Sequence, residues 1–517
     1  MATSSTEAFD VLVTSATDLS RLLQTGSITS VSTIQQYLKQ IEHHEPFLNA
    51  FISLAPRDKV LRAAAVLDKE RVEGRLRSAL HGIPIVLKDC FITASELGMD
   101  TTAGSWALAG AKANKNSAIA QKLIDAGMII LGKTNMTEFA GMKTTMVMPG
   151  WSSRGGQTLS PYVGEIKEGE TILGHSAPGG SSTGSAVAVA AGFSPLAMGA
   201  ETIGSIVTPA SRAALYALKP TVGVQNVEGM YTLTDFFDSP GPIAKSAADL
   251  LALAEILLGR SFQSEGLGSW EGLSVGFLDP AVWKMADEMC RQHEGTAEQM
   301  RNDYEEAISR LREHGCRVKY PVDIASISAL IVEGEQAIMP IAFWDFKNIC
   351  VPRFLDAFDA SPVQTLQDIV NFNERNSDKC LPPPYNKQDD LVKALHNDDT
   401  PEHIALLKEG LRAVGKRIID QVLTKENVNI IAAPADSSLC IHAAAAGYPV
   451  AVIPLGQLRY NERPFGLCLV ARENDEESLL RFMVAYVKVS PPRAVPDLLS
   501  VSQRLAGLGQ NSRNIDD

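Results

Sequence analysis

The chain has too little positive charge for a nucleic-acid or anionic-membrane binder. Its 517 residues carry 47 Lys and Arg against 60 Asp and Glu, a formal charge of −13, and no basic face to track phosphate is expected. It contains no C-x-x-C pair. The cysteines stand singly at Cys90, Cys290, Cys316, Cys350, Cys380, Cys440 and Cys468, an odd set that suggests neither a disulfide framework nor a thiolate zinc site and fits buried thiols in a reducing compartment. The nine histidines show no H-E-x-x-H spacing. His43 and His44 read as the solvated end of a helix, so neither a metal nor a cofactor is expected. Met1-Ala-Thr-Ser-Ser-Thr-Glu lacks a basic start and apolar core, which argues against a signal peptide. The longest weakly polar stretch, Ala186 to Ala200, is too short to span a bilayer. These absences leave a cytoplasmic globular protein, with a polar tail at Gly509–Asp517 expected to fray.

Such a length buries a large core without staples. Leu19, Leu22 and Leu23 mark a first helix that stops at Gly26. Ser30 caps a second, in which Val31, Ile34, Leu38 and Ile41 recur at helical spacing until Pro46. Arg57–Arg71 is a third. From His81 the pattern changes: Ile83–Leu87 is a short, wholly apolar strand, as in a sheet buried on both faces. Helix Ser117–Ala126 and buried strand Met128–Leu131 follow, which is the order of an α/β fold. A small-residue helix covers Ser182–Gly192. Strands at Leu273–Leu278, Arg317–Val322, Val428–Ala433 and Phe465–Ala471 accompany helices at Glu294–His314, Pro401–Leu423 and Glu476–Val487. No linker divides the chain. The expected architecture is one α/β domain over 1–517, a large mixed, mostly parallel sheet covered by helices on both faces, with a loop-rich middle segment at 260–427.

Three motif matches lack the context that their patterns need. Gly127-x-x-x-x-Gly132-Lys133-Thr134 satisfies the P-loop pattern, but its four variable residues form a buried strand rather than an exposed nest of N–H groups. Gly272-Leu-Ser274-Val-Gly276 matches a nucleophile elbow, yet no helix follows Ser274. Gly180-Ser-Ser182-Thr-Gly184 has the helix but is preceded by a loop. With Asp436 and His442 downstream, Ser182 could still head a hydrolase triad in the right chain order.

Three other segments carry chemistry together. Lys88 ends an apolar strand, where loss of water would lower its proton affinity towards that of a base; the alternative is a snorkelling strand-end lysine. Pro178-Gly-Gly-Ser-Ser-Thr-Gly-Ser185 places hydroxyls and a turn at a helix N-terminus. Glu201-Thr-Ile-Gly-Ser205 is a second tight turn whose backbone N–H groups could form an oxyanion hole before a serine.

In this order the segments resemble the amidase signature family. The likeness runs through His81-Gly-Ile-Pro-Ile-Val-Leu-Lys88-Asp, Thr101-Thr-Ala-Gly-Ser105, Leu131-Gly-Lys-Thr-Asn-Met-Thr-Glu-Phe139, Gly179-Gly-Ser-Ser-Thr-Gly-Ser-Ala186, Gly204-Ser205, Leu218-Lys-Pro-Thr-Val-Gly223 and Gly241-Pro-Ile-Ala244. Fainter echoes follow at Ala446-Gly-Tyr-Pro449 and Phe465–Val470. Core motifs thus fall within 81–260 and 428–490, leaving 260–427 to shape a pocket. The resemblance implies a Ser–cisSer–Lys triad: Ser205 as nucleophile, Ser181 as the bridging serine after a cis peptide, and Lys88 as base. It further implies an oxyanion hole from Thr202, Ile203, Gly204 and Ser205, support from Ser182, and an acyl pocket at Phe139–Met142 that includes Ala140 and Gly141. The implied substrate is a small, largely neutral amide or ester; a homodimer is compatible with this.

The chain departs from the family pattern at four points. Ile203 stands where Gly or Asp is usual, so either the turn keeps φ negative or the oxyanion hole is displaced. Val207 replaces the usual Arg, which removes an ion pair with Glu201. Cys90 and Thr183 stand where Asn and Gly are frequent. Acyl transfer, or a non-catalytic assembly role, is the alternative these departures keep open.

Overall fold

In the computed structural model, residues 9–145, 147–262 and 266–507 are described; the N-terminal stretch read for a leader and the tail at Gly509–Asp517 lie outside them. Eleven strands form the main sheet: β1 Phe51–Leu54, β2 Pro84–Lys88, β3 Ile129–Thr134, β4 Leu196–Glu201, β5 Tyr216–Lys219, β6 Ser239–Ala244, β7 Ser274–Leu278, β8 Arg317–Val322, β9 Ile430–Pro434, β10 Val450–Gln457 and β11 Pro464–Val470. Their order across the sheet is β1-β3-β2-β4-β6-β5-β10-β11-β9-β7-β8.

The sheet is large and mixed, as expected, but it is not mostly parallel. Parallel pairing is confined to β3-β2-β4 and β9-β7-β8. Between these flanks β4-β6-β5-β10-β11-β9 pair antiparallel, as does edge strand β1 with β3. The reason lies in the connections. Short returns, such as the one between β10 and β11, allow antiparallel neighbours, whereas parallel neighbours need a long crossover.

Helices α1 Ala16–Gln24, α2 Ser30–Leu48 and α3 Arg57–Val72 open the chain. Thr29, not Ser30, caps α2, exchanging hydrogen bonds with Ser32 in a capping box. Pro46 does not end that helix. It sits in the last turn, and Asn49 closes the helix in the left-handed conformation with φ 54°. Downstream lie α4 Ala118–Asp125, α5 Thr183–Ala190 and the short α6 Val207–Ser211. Helix α5 is buried at every position because its Ala, Gly and Ser side chains let it lie close on β2, β3 and β4. The middle segment is more helical than its prolines suggest, with helices at Ile338–Asp345, Val351–Asp356, Leu366–Arg375 and Asp389–Leu395.

Ile85, Val86 and Leu87 of β2 have no exposed surface, and each contributes about 1.5–3 kcal/mol by leaving water. A second apolar cluster joins Phe237, Ala444 and Ala445 to Leu330, Val332, Ile341, Ile404, Leu407, Leu411 and Ile418. Ile203, Ile324 and Ile441 are partly buried against both this cluster and the main core, so the middle segment meets the core beside the turn that carries Ser205.

Lys133 of the P-loop match lies inside this core. Its ammonium sits 3.3 Å from Asp89 Oδ1 and donates to Phe91 O and Thr101 Oγ1 at 2.7 and 2.6 Å. The other Asp89 oxygen takes the Thr102 N–H and hydroxyl and the Gly104 N–H. Lys133→Met would leave that carboxylate buried without its cation. Urea unfolding of this variant is expected to show a loss of about 3–5 kcal/mol.

Candidate active site

Strands β2 and β4 are parallel neighbours, with Val86 opposite Ala197 and Leu87 opposite Met198, so their C-terminal ends open on the same edge of the sheet. Lys88 is the last residue of β2, and the turn Thr202–Ser205 follows β4 directly. Ser181 lies just before α5, which packs across both strands. Three segments distant in sequence therefore converge for a topological reason.

Lys88 Nζ donates to Ser181 Oγ at 2.8 Å and to Ala200 O at 2.9 Å. Ser181 Oγ donates to Ser205 Oγ at 3.0 Å. The three residues are 1%, 4% and 8% exposed. The Gly180–Ser181 peptide is cis. Burial pulls the Lys88 ammonium down to about 8, against the opposing fields of Cys90, Asp238 and Glu201. A neutral amine is therefore accessible near physiological pH. Ser182 Oγ donates to Ala200 O at 3.1 Å and accepts from Ala200 N at 3.2 Å, while its own N–H holds Ser205 O at 3.0 Å. It thus fastens α5 to β4 and to the Ser205 turn.

The turn solves the Ile203 problem by leaving the left-handed position to Gly204, whose φ is 79°; Ile203 stays outside that region. Among the described residues no hydrogen bond occupies the N–H of Ile203, Gly204 or Ser205. The Thr202 carbonyl is held by Lys219 Nζ at 2.6 Å. With Val207 in place of a cation, Glu201 turns to the backbone: one oxygen accepts the N–H groups of Ile206 and Val207 at 2.6 and 2.9 Å. Among the described residues its other oxygen is buried without a hydrogen-bond partner. Thr208 Oγ1 bridges the two serine loops, accepting from Gly180 N at 3.2 Å and lying 2.8 and 3.0 Å from the carbonyl oxygens of Gly180 and Gly204.

Ala140 and Gly141 lie in a loop where Phe139, Ala140 and Gly141 have φ of 52°, 56° and 98°. Two non-glycine residues in succession in this region mark a held, strained segment. Phe139 N donates to Ala103 O, and the Tyr231 hydroxyl donates to Phe139 O at 3.1 Å. The loop reaches the serines through Thr137, whose N–H donates to Ser181 O at 3.2 Å.

The Ser182–Asp436–His442 alternative does not assemble. Asp436 is ion-paired with Arg212 and Arg463 at 3.0 and 2.9 Å. His442 Nε2 lies 2.8 Å from Ala325 O, and both Ser182 side-chain contacts are to backbone. Ser274 donates to Asn429 Oδ1 from inside β7. Chain order carried no geometry in these cases. His442→Gln is accordingly expected to retain amide turnover in a steady-state assay. Thr208 and Arg212 escaped the sequence reading as site residues, and Glu201 entered it only as a carboxylate left without its usual ion pair. The one available signal was Glu201, a carboxylate four residues before a serine at a strand end.

A sequence model described as Amidase matches residues 32–436. The X-ray structure of peptide amidase from Stenotrophomonas maltophilia superposes with a TM-score of 0.81 at 30% identity, covering 94% of this chain and 99% of that one. A chain of Schizosaccharomyces pombe that carries the name "Putative amidase" is 28% identical over 92% of this chain and 85% of its own. A glutamyl-tRNA(Gln) amidotransferase chain from Thermobifida fusca is 36% identical over 48% of this chain and 47% of its own.

Proposed function

The chain belongs to the amidase family, and from that premise we propose that it hydrolyses the carbon–nitrogen bond of a small, largely neutral amide through Ser205, Ser181 and Lys88. The observation that carries this reading is the unbroken chain of hydrogen bonds from Lys88 Nζ through Ser181 Oγ to Ser205 Oγ.

Neutral Lys88 takes the Ser181 proton as Ser181 takes that of Ser205, whose oxygen attacks the amide carbon. Negative charge develops on the carbonyl oxygen and is met by the N–H groups of Ile203, Gly204 and Ser205. Loss of one such donor typically costs ~2.7–4 kcal/mol of transition-state stabilisation. Reversal of the relay carries the proton to the departing nitrogen, which leaves as a neutral amine or ammonia. Water then adds to the ester on Ser205, passing its own proton back along the same path to release the acid and free serine.

Ile203 sets an apolar side chain beside the oxyanion turn, partly buried against the middle segment. This favours an uncharged substrate and a pocket shaped by residues 260–427, with Ala140 and Gly141 on the acyl side. Seven free, buried cysteines support a cytoplasmic location; among the described residues no helix is long and apolar enough to cross a membrane.

The test is intact-mass measurement of the wild type and of a Ser181→Ala variant, which slows both halves of the reaction, against aryl, alkyl and fatty amides. An acyl-sized mass increase with at least one amide is expected. Amide consumption without any adduct on Ser205 would count against the acyl-enzyme route.

A further inference from the structure

We propose that Arg212 is a positioning residue for this chemistry: its guanidinium fixes the loop that leads into Ser181 against the helix that follows Ser205. The inference rests on the roles proposed above for those two serines, and it concerns what sets the distance between them.

Arg212 caps the C-terminal end of α6, four residues beyond Thr208 and hence on the same helical face. Its Nη1 donates to Gly174 O and Ala177 O at 2.5 and 2.9 Å, and its Nη2 to Leu173 O at 2.6 Å. Three carbonyls of one loop thus converge on one rigid fork. The same loop continues through Gly179, where an added Cβ would lie 2.9 Å from the Thr208 backbone and 3.0 Å from Arg212 Cδ. It then reaches Gly180, gripped by the Thr208 hydroxyl. One face of α6 therefore holds residues 173–180 from Leu173 to the residue before Ser181, while the other end of the same short helix begins beside Ser205.

The guanidinium is itself held. Arg212 Nη2 lies 3.0 Å from Asp436 Oδ1, and Arg463 Nη1 lies 2.9 Å from Asp436 Oδ2. Burial would raise the Asp436 carboxyl, but the two guanidiniums hold it well below the usual carboxylate range. Arg463 Nη2 reaches His175 Nδ1 at 3.0 Å, and Thr296 Oγ1 lies 3.3 Å from His175 Nε2. Burial brings His175 down to about 4, so the ring is neutral and its Nδ1 accepts from Arg463. Asn461 completes the clasp, donating to His175 O at 2.9 Å. Lysine replaces this arginine only in part, because one ammonium cannot address three divergent carbonyls and a carboxylate in a plane.

The readout is phosphonylation of Ser205 by a fluorophosphonate probe, followed over time and over probe concentration. Arg212→Met is expected to lower the limiting labelling rate constant on the order of 100-fold, as a misplacement of about 1 Å does, with half-saturation unchanged. Arg212→Lys is expected to fall between that variant and wild type, and it supplies the test should Arg212→Met fail to accumulate. A residue that only stabilises the fold behaves differently: the labelled fraction shrinks while the molecules still folded react at the wild-type rate constant. That result in either variant overturns the proposal. A wild type that takes no label at Ser205 overturns the triad reading instead, and is distinguished because no variant is involved.

Discussion

Ser205→Ala is expected to abolish amide hydrolysis while leaving the fold intact. The substitution removes one oxygen at a site where Ser181 loses only the acceptor of its hydrogen bond, so the cost to stability is small, ~1 kcal/mol. The cost to the reaction is the whole covalent route. Removing a serine nucleophile from an acyl-transfer site lowers kcat on the order of a million-fold, and the residue that persists comes from the oxyanion hole and binding alone. Steady-state assay of a cleaved amide, with thermal unfolding as the control, checks both halves. A Ser205→Ala variant retaining a tenth of wild-type turnover would place the nucleophile elsewhere. Ser182 would then be the first candidate to examine, although its hydroxyl is committed to both backbone groups of Ala200.

The second large effect is on Lys88 and on pH. As the proposed base it must be neutral, and burial sets its proton affinity near 8. For wild type, log kcat/KM should climb with unit slope at acid pH and level off above about 8, because kcat/KM reports the free enzyme. Lys88→Ala is expected to lose on the order of 100- to 10,000-fold, the usual worth of a positioned base, together with that inflection. The same depression links to folding. Between about 8 and the ordinary lysine range the unfolded chain holds the extra proton, so this group's contribution to stability improves as pH rises through that window. A flat profile through pH 8 would contradict a titrating Lys88. So would a falling one.

The motifs were legible before the architecture. Lys88, Ser181 and Ser205 were picked out by the resemblance to the amidase signature family; the residues by themselves left Lys88 open as a snorkelling strand-end lysine and Ser182 open as a nucleophile. Lys133 could be dismissed as a phosphate ligand because Met128–Leu131 reads as buried strand. What escaped were strands made of small residues. Leu196–Glu201 is wholly buried, yet its Ala and Gly carry little strand preference, and without it the adjacency of Lys88 to the Ser205 turn could not be seen. The antiparallel centre of the sheet was hidden for a related reason: Ser239–Ala244 contains two prolines and a glycine and does not look like a strand. Thr208 was invisible as a working part because its partners are backbone groups, and Arg212 because three of its four partners are carbonyls of one loop. A backbone amide or carbonyl has no letter in the sequence. Asp436 stayed open as a triad alternative from the opposite cause, since its place in the chain suited a triad while its neighbours in space are two arginines.

The central claim is that Ser205 is the group made reactive by Lys88 through Ser181. The most direct measurement is peptide mapping of the fluorophosphonate adduct on the wild type and on Lys88→Ala. A single modified residue, Ser205, is expected in the wild type, with loss of labelling when Lys88 is removed. An adduct on Ser182, or equal labelling of Ser205 with and without the lysine, would contradict it.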